Sequence, residues 1–424
     1  MDLKSKMFEA EKKELLDLKQ KARLKWAHSG DENSKYFHRV IKQNHRRNFI
    51  HGFSINGVWT TDPMTMKSAA KDFFENKFKE PLSSRPVFSN TLLNALSSDQ
   101  SDFLEATFSS DEIKQTVWAC DGDKAQGSDG FSFSFIKSHW EILRSDIIGA
   151  VSEFYDSASL PRGANSSFLA LVPKSKDLIY ISDYRPISLI GATYKIIAKL
   201  LSSRLQAVIH SIIGKEQTAF IKGRSILEGP MILNEIISWA KRSKQQMLLF
   251  KIDLEKAFDS LNWEFLDKIM EKLNFGTKWR RWIRNCLSSA RISVLINGSA
   301  SGEFSMQRGV RQGDPLAPFL FIIAMEALNA AMKQARSLGI FEGIQLPKNG
   351  LLVSHLFYAD DAFVTPYQEK KEREIFGFSS STAQLWENGS FSFFNRRIVV
   401  KFGQRLHNSL FFNLTGGIEH RRLQ

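Results

Sequence analysis

Aspartate residues follow two short apolar runs at widely separated points of this chain. Asp253 closes the run Leu248–Ile252, and the doublet Asp360-Asp361 follows the run Leu356–Ala359. Carboxylate oxygens are preferred ligands of hard cations such as Mg²⁺, and two cations bridged by carboxylates can hold the attacking and leaving oxygens of a phosphoryl transfer. If the fold brings a strand end and a tight hairpin together, these acids predict a metal-dependent site for phosphoryl transfer.

Each acidic site also has an ordinary structural interpretation when it is taken alone. Aspartate is common at helix caps and in turns, where its side chain accepts hydrogen bonds from nearby backbone N–H groups. Asp253 could therefore cap the segment that follows it, and the doublet could simply polarise a turn. Only the catalytic interpretation requires the two sites to meet in space.

The net charge of the chain favours a polyanionic partner. The sequence holds 58 Lys and Arg residues against 45 Asp and Glu residues, for a formal net charge of +13. Such an excess attracts polyanions and makes their binding sensitive to salt, although charge alone does not name the partner. Residues 2–26 fit an amphipathic helix with a basic face, a pattern that is more often merely solvated.

Cysteine usage and hydropathy argue against several classes of protein. The sequence has two cysteines, Cys120 and Cys286, and they form no Cys-x-x-Cys motif or Cys/His cluster. This argues against a disulfide framework and a zinc knuckle, and it fits a reducing compartment. No apolar run approaches roughly 18 residues and the start lacks an apolar signal core, so we expect a soluble chain with no membrane partner.

Apolar runs and helical patterns alternate along the chain from Phe168 onward. We predict strands at four apolar runs bounded by turn residues, namely Phe168–Val172, Met247–Ile252, Ile292–Ile296 and Leu351–Tyr358. We predict helices where apolar residues recur with a helical period, at Leu189–Ile213, Ile226–Lys241, Trp263–Leu273 and Pro315–Ala335. Because no Gly-rich nucleotide-binding loop accompanies the alternation, it favours an α+β fold with helices packed behind a small sheet.

Five signatures in the sequence, one of them made of two stretches, resemble the motifs of LINE-type (non-LTR) reverse transcriptases, and they occur in that family's order. Two of them hold the acids, since Phe250–Asp259 resembles the first palm motif and Phe357–Asp361 resembles the catalytic hairpin. Between them, Arg308–Pro318 is similar to the motif that supports the template and the incoming nucleotide. Upstream lie stretches that resemble the fingers motifs, Pro173-Lys174 with Tyr184–Leu189, and an insertion typical of the non-LTR group, Gln217–Arg224.

The resemblance covers roughly residues 20–365. The region between endonuclease and polymerase in plant elements is resembled by Ala22-Arg23 with Trp26, by Gly30–His38 and by Lys124–Phe131. The sequence departs from that family at Ala27-His28-Ser29 and at Gln126 and Ser128, where proline is usual, and we expect no endonuclease before residue 1. After Val364 we find neither the end of the palm nor the thumb motifs. We therefore expect a segment of a plant retrotransposon polyprotein that is truncated or altered after its catalytic Tyr-Ala-Asp-Asp motif.

The resemblance implies an α+β right-hand polymerase fold with fingers and palm, in which the thumb is missing and a basic helical region comes first. The expected boundaries are a basic N-terminal region at 1–82, a helical extension of the fingers at 83–160, fingers and palm at 161–365, and a poorly ordered tail at 366–424. The stretch at 83–86 reads as a linker.

The resemblance also implies the roles of individual residues. Asp253, Asp360 and Asp361 would form the catalytic triad and bind two Mg²⁺ ions, or Mn²⁺ in their place, with Asp253 and Asp360 as the principal ligands. The nucleotide-binding residues implied by the motifs are Lys174, Arg185, Phe258, Gln312 and Gly313. The basic residues expected to contact nucleic acid are Arg23, Lys25, Arg46, Arg47, Arg224, Arg308 and Arg311.

Several of these residues also fit purely structural roles. Lys174 and Arg185 could be surface charges, Phe258 could belong to the core instead of facing the sugar of the nucleotide, and Gly313 could serve an ordinary turn. We expect Asp259 to cap the helix that follows it and not to bind metal.

The activity that the resemblance implies is RNA-directed DNA polymerisation. Its partners would be an RNA template, a DNA primer and deoxynucleoside triphosphates, without a small-molecule cofactor. The lifestyle of such elements favours nuclear residence, with a cytoplasmic ribonucleoprotein as the alternative. Two other interpretations stay open: a catalytically silent nucleic-acid-binding remnant, favoured by the +13 charge, and a group II intron maturase, against which the insertion at Gln217–Arg224 weighs.

Overall fold

The structure, a computed structural model, describes residues 34–81, 92–174, 178–225, 227–243, 250–254, 257–339, 342–346, 350, 352–364 and 398–402. For residues 34–37, 250, 253 and 398–402 it describes the backbone alone. The predicted helix at 2–26, the predicted linker at 83–86 and most of the tail after residue 365 lie outside the described residues.

Helices and strands are mixed along the described part of the chain. The helices are α1 (Ser34–Asn48), α2 (Pro63–Phe78), α3 (Ser98–Glu105), α4 (Ser110–Ala119), α5 (Phe133–Ser138), α6 (Trp140–Ser157), α7 (Ala192–Ile212), α8 (Glu228–Arg242), α9 (Ala257–Ser260), α10 (Trp263–Lys272), α11 (Thr277–Ser288) and α12 (Ala317–Ser337). The strands are β1 (Phe53–Ile55), β2 (Val58–Thr60), β3 (Ser166–Pro173), β4 (Tyr184–Ile190), β5 (Phe250–Leu254), β6 (Arg291–Ile296), β7 (Ser299–Ala300), β8 (Phe304–Ser305), β9 (Ile344–Gln345), β10 (Leu352–Val353), β11 (His355–Tyr358), β12 (Asp361–Val364) and β13 (Ile398–Phe402).

Two sheets organise most of the longer strands. The five-stranded sheet has the order β4-β3-β6-β7, with β8 also pairing with β6, and its β3 and β6 run parallel. The four-stranded sheet has the order β11-β12-β5-β13, and its neighbours are all antiparallel. The described residues therefore have the mixed helix and sheet architecture that the alternating pattern predicts.

Polar residues at cap positions explain where several helices begin. The Asp62 carboxylate accepts a hydrogen bond from the backbone N–H of Thr65 at 2.8 Å, and Pro63 opens α2 with a φ angle already suited to a helix. Ser97 and Gln100 form a reciprocal capping box at the start of α3. These local bonds satisfy backbone N–H groups at the helix starts.

Asp259 does not have the capping role that we predicted. Asn262 caps α10 instead, since its side-chain oxygen accepts a hydrogen bond from Phe265 N at 2.7 Å. Asp259 lies inside α9, is buried, and its carboxylate is 2.7 Å from Lys77 Nζ. The prediction was wrong because Asn262, immediately before the helix, supplies the cap and leaves Asp259 to pair with a distant cation.

The largest apolar cluster lies between helices and the back of the four-stranded sheet. In α11, Trp279 and Trp282 are fully buried, while Ile252, Phe357 and Ala362 contribute from the strands. Burial of each large apolar side chain stabilises the fold by roughly 2–3 kcal/mol. Since successive side chains alternate between the faces of a sheet, this packing anchors the strands that carry the acidic residues from behind.

A second apolar cluster joins the N-terminal segment to the five-stranded sheet. Phe53, Met66 and Phe74 pack with Leu169 and Ile292 of the sheet. Residues 50–78 therefore share a core with the strands of the five-stranded sheet, although more than eighty residues separate them along the chain.

The structure refines the predicted elements mainly at their ends. The predicted strands at Phe168–Val172 and Ile292–Ile296 are confirmed as β3 and β6. The helix predicted from Leu189 begins only at Ala192, because the preceding residues form β4 and pair with β3. The predicted strand at Leu351–Tyr358 is divided by Ser354 into β10 and β11.

Both cysteines are free thiols with buried side chains. None of the helices described here combines the length and the apolar character that crossing a membrane requires.

Arg204 of α7 provides a test of how the helical region is held together. Its guanidinium donates to both carboxylate oxygens of Glu112 at 2.9 Å, and to the carbonyl oxygens of Leu104 (3.0 Å) and Thr107 (3.1 Å). It also lies 4.0 Å from the centre of the Phe108 ring. Because lysine has no planar fork, it cannot replace these bonds together.

We predict that Arg204→Lys lowers the free energy of unfolding by about 2–3 kcal/mol, measured by urea denaturation, because buried carbonyls lose their donors. Glu112→Gln should cost about 1 kcal/mol or less, since the Glu112 side chain is 31% exposed and water can replace its partner. If both variants lower the free energy of unfolding by the same amount, the hydrogen bonds from Arg204 to the carbonyl oxygens are not its larger contribution to stability.

Candidate active site

Backbone pairing brings the two acidic sites of the sequence together. In the antiparallel pair of β5 and β12, Asp253 and Asp361 are direct partners. Directly opposed residues in such a pair have Cα atoms about 4.5–5.5 Å apart. Asp360 immediately precedes β12, in the turn that joins it to β11, and its carbonyl accepts a hydrogen bond from Leu254 N at 3.4 Å. The side chain of Asp253 lies outside the described part of the structure.

The turn that carries Asp360 has two residues, Ala359 and Asp360, between paired strands. Tyr358 and Asp361 are the last paired residues on either side of it. Ala359 has a φ of +53°, a conformation that costs an L residue about 1–2 kcal/mol. Two-residue hairpins require such positive φ angles because only those turns match the twist of the strands. The tight hairpin expected from the sequence is therefore present and its first turn residue is strained.

A lysine lies beside the acidic residues on the four-stranded sheet. Lys251 Nζ is 3.0 Å from the Asp361 carboxylate, and both side chains are partly exposed to solvent. The same ammonium lies 5.7 Å from the centre of the Phe363 ring. The carboxylate of Asp361 is therefore already balanced by one cation of the protein.

The donor set fits a hard divalent cation. The acidic side chains here offer carboxylate oxygens, which Mg²⁺ and Mn²⁺ prefer, and Asp361 is accessible to solvent. Among the side chains that the structure describes, no group of three His, Cys, Asp or Glu residues forms a metal cage, and Asp253 does not belong to that set. The strand pairing of Asp253 with Asp361 supplies the proximity that a shared ion requires.

Two basic residues expected to bind a triphosphate lie at one end of the β3–β4 pair. Arg185 is paired with Val172, and Lys174 follows two positions after Val172, so that Lys174 and Arg185 belong to the same face. Both are exposed. Lys174 Nζ donates a hydrogen bond to the carbonyl of Ser182 at 2.7 Å. The register thus places both exposed residues at the same end of the β3–β4 pair.

The motif at residues 308–318 packs against strand β4. The carbonyl of Gln312 accepts a hydrogen bond from Ser188 N at 2.8 Å. Gly313 has a φ of +103°, and a Cβ there would lie 3.0 Å from the carbonyl oxygen of Ser188. Glycine is required at this position for both reasons, and the close approach is to the protein's own strand β4.

Phe258 is only partly buried and stacks on a core residue. Its ring lies 4.5 Å from that of Phe321, with 18° between the ring planes. Its carbonyl accepts a hydrogen bond from Val310 N at 2.7 Å, which ties it to the motif at 308–318. Phe258 therefore rests on the core, as its structural interpretation requires, and keeps part of its ring accessible.

The basic residues expected to contact nucleic acid divide into buried and exposed groups. Arg308 and Arg311 are 5% and 4% exposed. Arg311 donates to the Asp314 carboxylate at 3.0 Å, and Arg308 donates to the carbonyl of Lys77. Both guanidinium groups therefore lie in the interior of this conformation. This position disagrees with the prediction that the two arginines contact nucleic acid.

Arg224 also bonds to the protein itself. Its guanidinium donates to the carbonyl oxygens of Ile213 (2.9 Å), Gly214 (2.6 Å) and Gln217 (2.6 Å). By contrast, Arg46 and Arg47 are exposed on the last turn of α1. Arg23 and Lys25 lie outside the described residues.

Comparison with known protein families shows which family the chain belongs to. The sequence model of the family described as reverse transcriptase (RNA-dependent DNA polymerase) matches residues 172–384, about half of the chain. The chain belongs to the reverse transcriptase family. The match includes both acidic sites, and it continues past Val364, where the motif resemblance ends.

This reverse transcriptase is similar to curated proteins of animal transposons. It is 27% identical over 371 residues to the transposon TX1 uncharacterized 149 kDa protein of Xenopus laevis, which covers 85% of this chain and 28% of that protein. It is 27% identical over 170 residues to the retrovirus-related Pol polyprotein from type-1 retrotransposable element R2 of Popillia japonica, covering 40% of this chain and 24% of the relative. A probable RNA-directed DNA polymerase from transposon BS of Drosophila melanogaster is 30% identical over 142 residues, which cover 33% of this chain and 16% of the relative.

These comparisons make the chain a polymerase by family resemblance. It spans between 16% and 28% of the length of the three relatives. Reverse transcriptases as a family use divalent metal ions, which agrees with the carboxylate donors of this site.

A buried polar network lies behind the hairpin of strands β11 and β12. His355 of β11 hydrogen-bonds through Nε2 to Asn329 Oδ1 at 2.7 Å and through Nδ1 to the Ser354 hydroxyl at 2.9 Å. Asn329 Nδ2 donates to Glu326 at 2.8 Å and to Glu216 at 3.1 Å. The network connects helix α12, the segment before Gln217 and strand β11.

The sequence analysis did not predict this network, although the sequence contains a pattern that indicates buried polar contacts. Glu326 and Asn329 interrupt an otherwise apolar helix at positions three residues apart, and His355 interrupts an apolar strand. Polar residues in apolar runs need partners when they are buried, and residues three apart on a helix share a face. The partners themselves come from distant parts of the chain and could not be read from the pattern.

Burial shifts the proton affinities in this network in opposite directions. It lowers the pKa of His355 to about 4, because the charged imidazolium loses its hydration. It raises the pKa of Glu326 to about 7 for the same reason, since the carboxylate loses hydration. His355 therefore destabilises the fold as the pH falls below the ordinary histidine pKa of 6.5. Glu326 destabilises the fold as the pH rises from 4.5 toward 7.

We predict that His355→Gln removes the acid-sensitive part of the stability curve. Wild type should be more stable than the variant at pH 7, and the difference should shrink by up to about 3 kcal/mol between pH 6.5 and pH 4, because only the wild-type unfolded state gains a proton there. Urea denaturation at a series of pH values measures this difference, in which the contribution of Glu326 cancels. The exposed His210→Gln variant is the control, and a pH-independent gap between wild type and His355→Gln would contradict the prediction.

Proposed function

We propose that this chain is the RNA-directed DNA polymerase segment of a non-LTR retrotransposon, which transfers nucleotides to a primer 3′-hydroxyl with two bound Mg²⁺ ions. The observation that carries the proposal is the direct pairing of Asp253 with Asp361, next to the turn residue Asp360. The family membership of the chain supports the reaction class, and the carboxylate donors support the choice of metal.

The mechanism assigns distinct tasks to the residues of the site. Asp253 and Asp360 would hold the metal ions, while Asp361, whose carboxylate already pairs with Lys251, would contribute mainly to the local charge. The bound ions supply Lewis acidity that favours the primer alkoxide and offsets the charge of the departing pyrophosphate. The protein contributes by positioning the reactants and needs no side-chain nucleophile.

The remaining residues bind the incoming deoxynucleoside triphosphate and the template. Lys174 and Arg185 offer two exposed cations on one face, which suits a polyphosphate chain. The accessible part of Phe258 would lie against the sugar and disfavour a 2′-hydroxyl. Gln312 and Gly313 would support the templating pair, as the resemblance of residues 308–318 to the family motif implies.

A right-hand arrangement follows from these assignments. The four-stranded sheet with the acidic residues would be the palm, and the five-stranded sheet with Lys174 and Arg185 would belong to the fingers. The exposed basic residues Arg46 and Arg47 of α1 are then candidates for contact with the template backbone. The proposal also includes an RNA template and a DNA primer as partners, an origin in a plant element and a nuclear location.

A second candidate function is a catalytically silent remnant that binds nucleic acid. The net charge of +13 favours it independently of the acidic residues. Such a remnant would bind RNA with a steep dependence on salt and would not extend a primer.

We predict that the chain extends a DNA primer on an RNA template in Mg²⁺, and that Asp253→Asn and Asp360→Asn each lower the rate about a thousandfold, because a neutral amide binds a divalent cation poorly. The exposed Asp102→Asn variant, in helix α3, controls for the loss of a surface charge. Gel-based primer extension measures the rates. Absence of extension by the wild-type chain, together with salt-sensitive RNA binding, would select the silent remnant instead.

A further inference from the structure

The side chain of Gln217 closes on the strained turn of the catalytic hairpin. Its Oε1 accepts a hydrogen bond from the backbone N–H of Ala359 at 3.0 Å, and its Nε2 donates to the carbonyl of Ala359 at 3.5 Å. Ala359 is the residue with the positive φ angle. One amide side chain therefore satisfies both backbone groups of Ala359, the residue immediately before Asp360. We call these two hydrogen bonds between Gln217 and Ala359 the clamp.

The backbone around Gln217 is itself paired with strand β11. Phe357 N donates to the carbonyl of Glu216 at 2.7 Å, and Thr218 N donates to the carbonyl of Phe357 at 3.0 Å. These two bonds form a short parallel bridge between Gln217 and Phe357. The amide of Gln217 thus approaches the turn from a segment whose distance to the hairpin is fixed.

The chemistry of this position requires a carboxamide of glutamine length. Gln217 is 2% exposed, so water cannot easily replace a missing partner. Its Oε1 also accepts from Ala219 N at 3.0 Å, which fixes the orientation of the amide because the oxygen faces two N–H donors. Glutamate would keep the two accepted bonds and lose the donated one, whereas methionine would lose all three.

The turn needs such an external partner. A positive φ at alanine is unfavourable, and neither backbone group of Ala359 belongs to the register of β11 with β12. Without the clamp, the turn could relax toward a lower-energy conformation, and Asp360 and Asp361 would move with it. Displacements of about 1 Å at a reacting centre can lower a rate about a hundredfold.

We propose that Gln217 is the positioning residue of the catalytic hairpin, acting through the Ala359 peptide to set the metal-binding carboxylate of Asp360 and the neighbouring carboxylate of Asp361. The inference rests on the proposed polymerase function for its kinetic consequence. Its structural consequence, the restraint of the turn, does not depend on that function.

The decisive variant is Gln217→Met, which has similar volume and no hydrogen-bonding amide. We expect its kcat in primer extension to fall about tenfold to a hundredfold while KM for the deoxynucleoside triphosphate changes less than about threefold, because the nucleotide-binding residues lie on other elements. The half-saturating Mn²⁺ concentration, measured by electron paramagnetic resonance on the chain without substrates, should rise about fivefold or more, because displaced carboxylates bind a cation less well.

Asn297→Leu supplies a matched control elsewhere in the fold. The Asn297 side chain closes on Ile50 in the same way, accepting from its N–H and donating to its carbonyl, both at 2.8 Å. Asn297 also has a positive φ, which leucine adopts only with strain, and its side chain is exposed where that of Gln217 is buried. If a lost clamp matters only through general stability, the two variants should lower kcat in proportion to their losses in free energy of unfolding, and that result would overturn the proposal.

Hydrogen–deuterium exchange separates the structural claim from the proposed function. The backbone amides of residues 357–361 should exchange at least about tenfold faster in Gln217→Met than in the wild type, and at the wild-type rate in Asn297→Leu. If the wild-type chain shows no primer extension but this difference appears, the polymerase proposal fails and the restraint of the turn stands. Unchanged exchange and Mn²⁺ binding in Gln217→Met would overturn the positioning role.

Gln217→Glu covers the case in which the methionine variant does not fold. In its ionised form it retains the acceptor for Ala219 N and Ala359 N and loses the donor to the Ala359 carbonyl, so exchange is measured at a pH where the carboxylate is ionised. We expect exchange at residues 357–361 between that of wild type and that of a chain without the clamp. Exchange equal to wild type, with unaltered Mn²⁺ binding, would contradict the need for the complete amide.

Discussion

The antiparallel register of β5 with β12 is the constraint on which the candidate active site depends. It makes Asp253 and Asp361 direct partners, so that acids from two distant parts of the chain meet at one position of one sheet. A slip of one residue would move every side chain of a strand to the opposite face and would separate the acids. The register is fixed from behind by apolar residues that alternate with the acids, including Ile252 and Ala362 in the large core.

The surrounding structure transmits this constraint to the hairpin turn. The turn pairs with β5 through the bond from Leu254 N to the Asp360 carbonyl, and it is held on its other side by Gln217. Behind it, His355 connects β11 to Asn329 of helix α12. The hairpin is therefore attached to the sheet, to the segment before α8 and to helix α12. These attachments suit a hairpin that must hold the carboxylates of Asp360 and Asp361 in fixed positions.

The sequence was most informative where a local pattern and a function coincide. The acidic doublet after an apolar run predicted a tight hairpin, and strands β11 and β12 form one. It was least informative about charged residues with buried partners. Arg308 and Arg311 looked like surface cations, yet the carbonyl of Lys77 and the Asp314 carboxylate receive them inside the protein. Nothing local distinguishes a buried arginine from an exposed one, since the partner decides its burial. Asp259 failed as a predicted cap for the same reason, because its partner Lys77 is remote in sequence.

The central claim is that Asp253 and Asp360 jointly hold divalent ions where a primer end meets a nucleotide. Anomalous X-ray scattering from crystals of the chain with Mn²⁺, a primer–template duplex and a non-hydrolysable deoxynucleotide would test it most directly. The account predicts Mn²⁺ peaks about 2.0–2.3 Å from carboxylate oxygens of both Asp253 and Asp360. Manganese bound elsewhere, with these two carboxylates free of metal in the substrate complex, would contradict it.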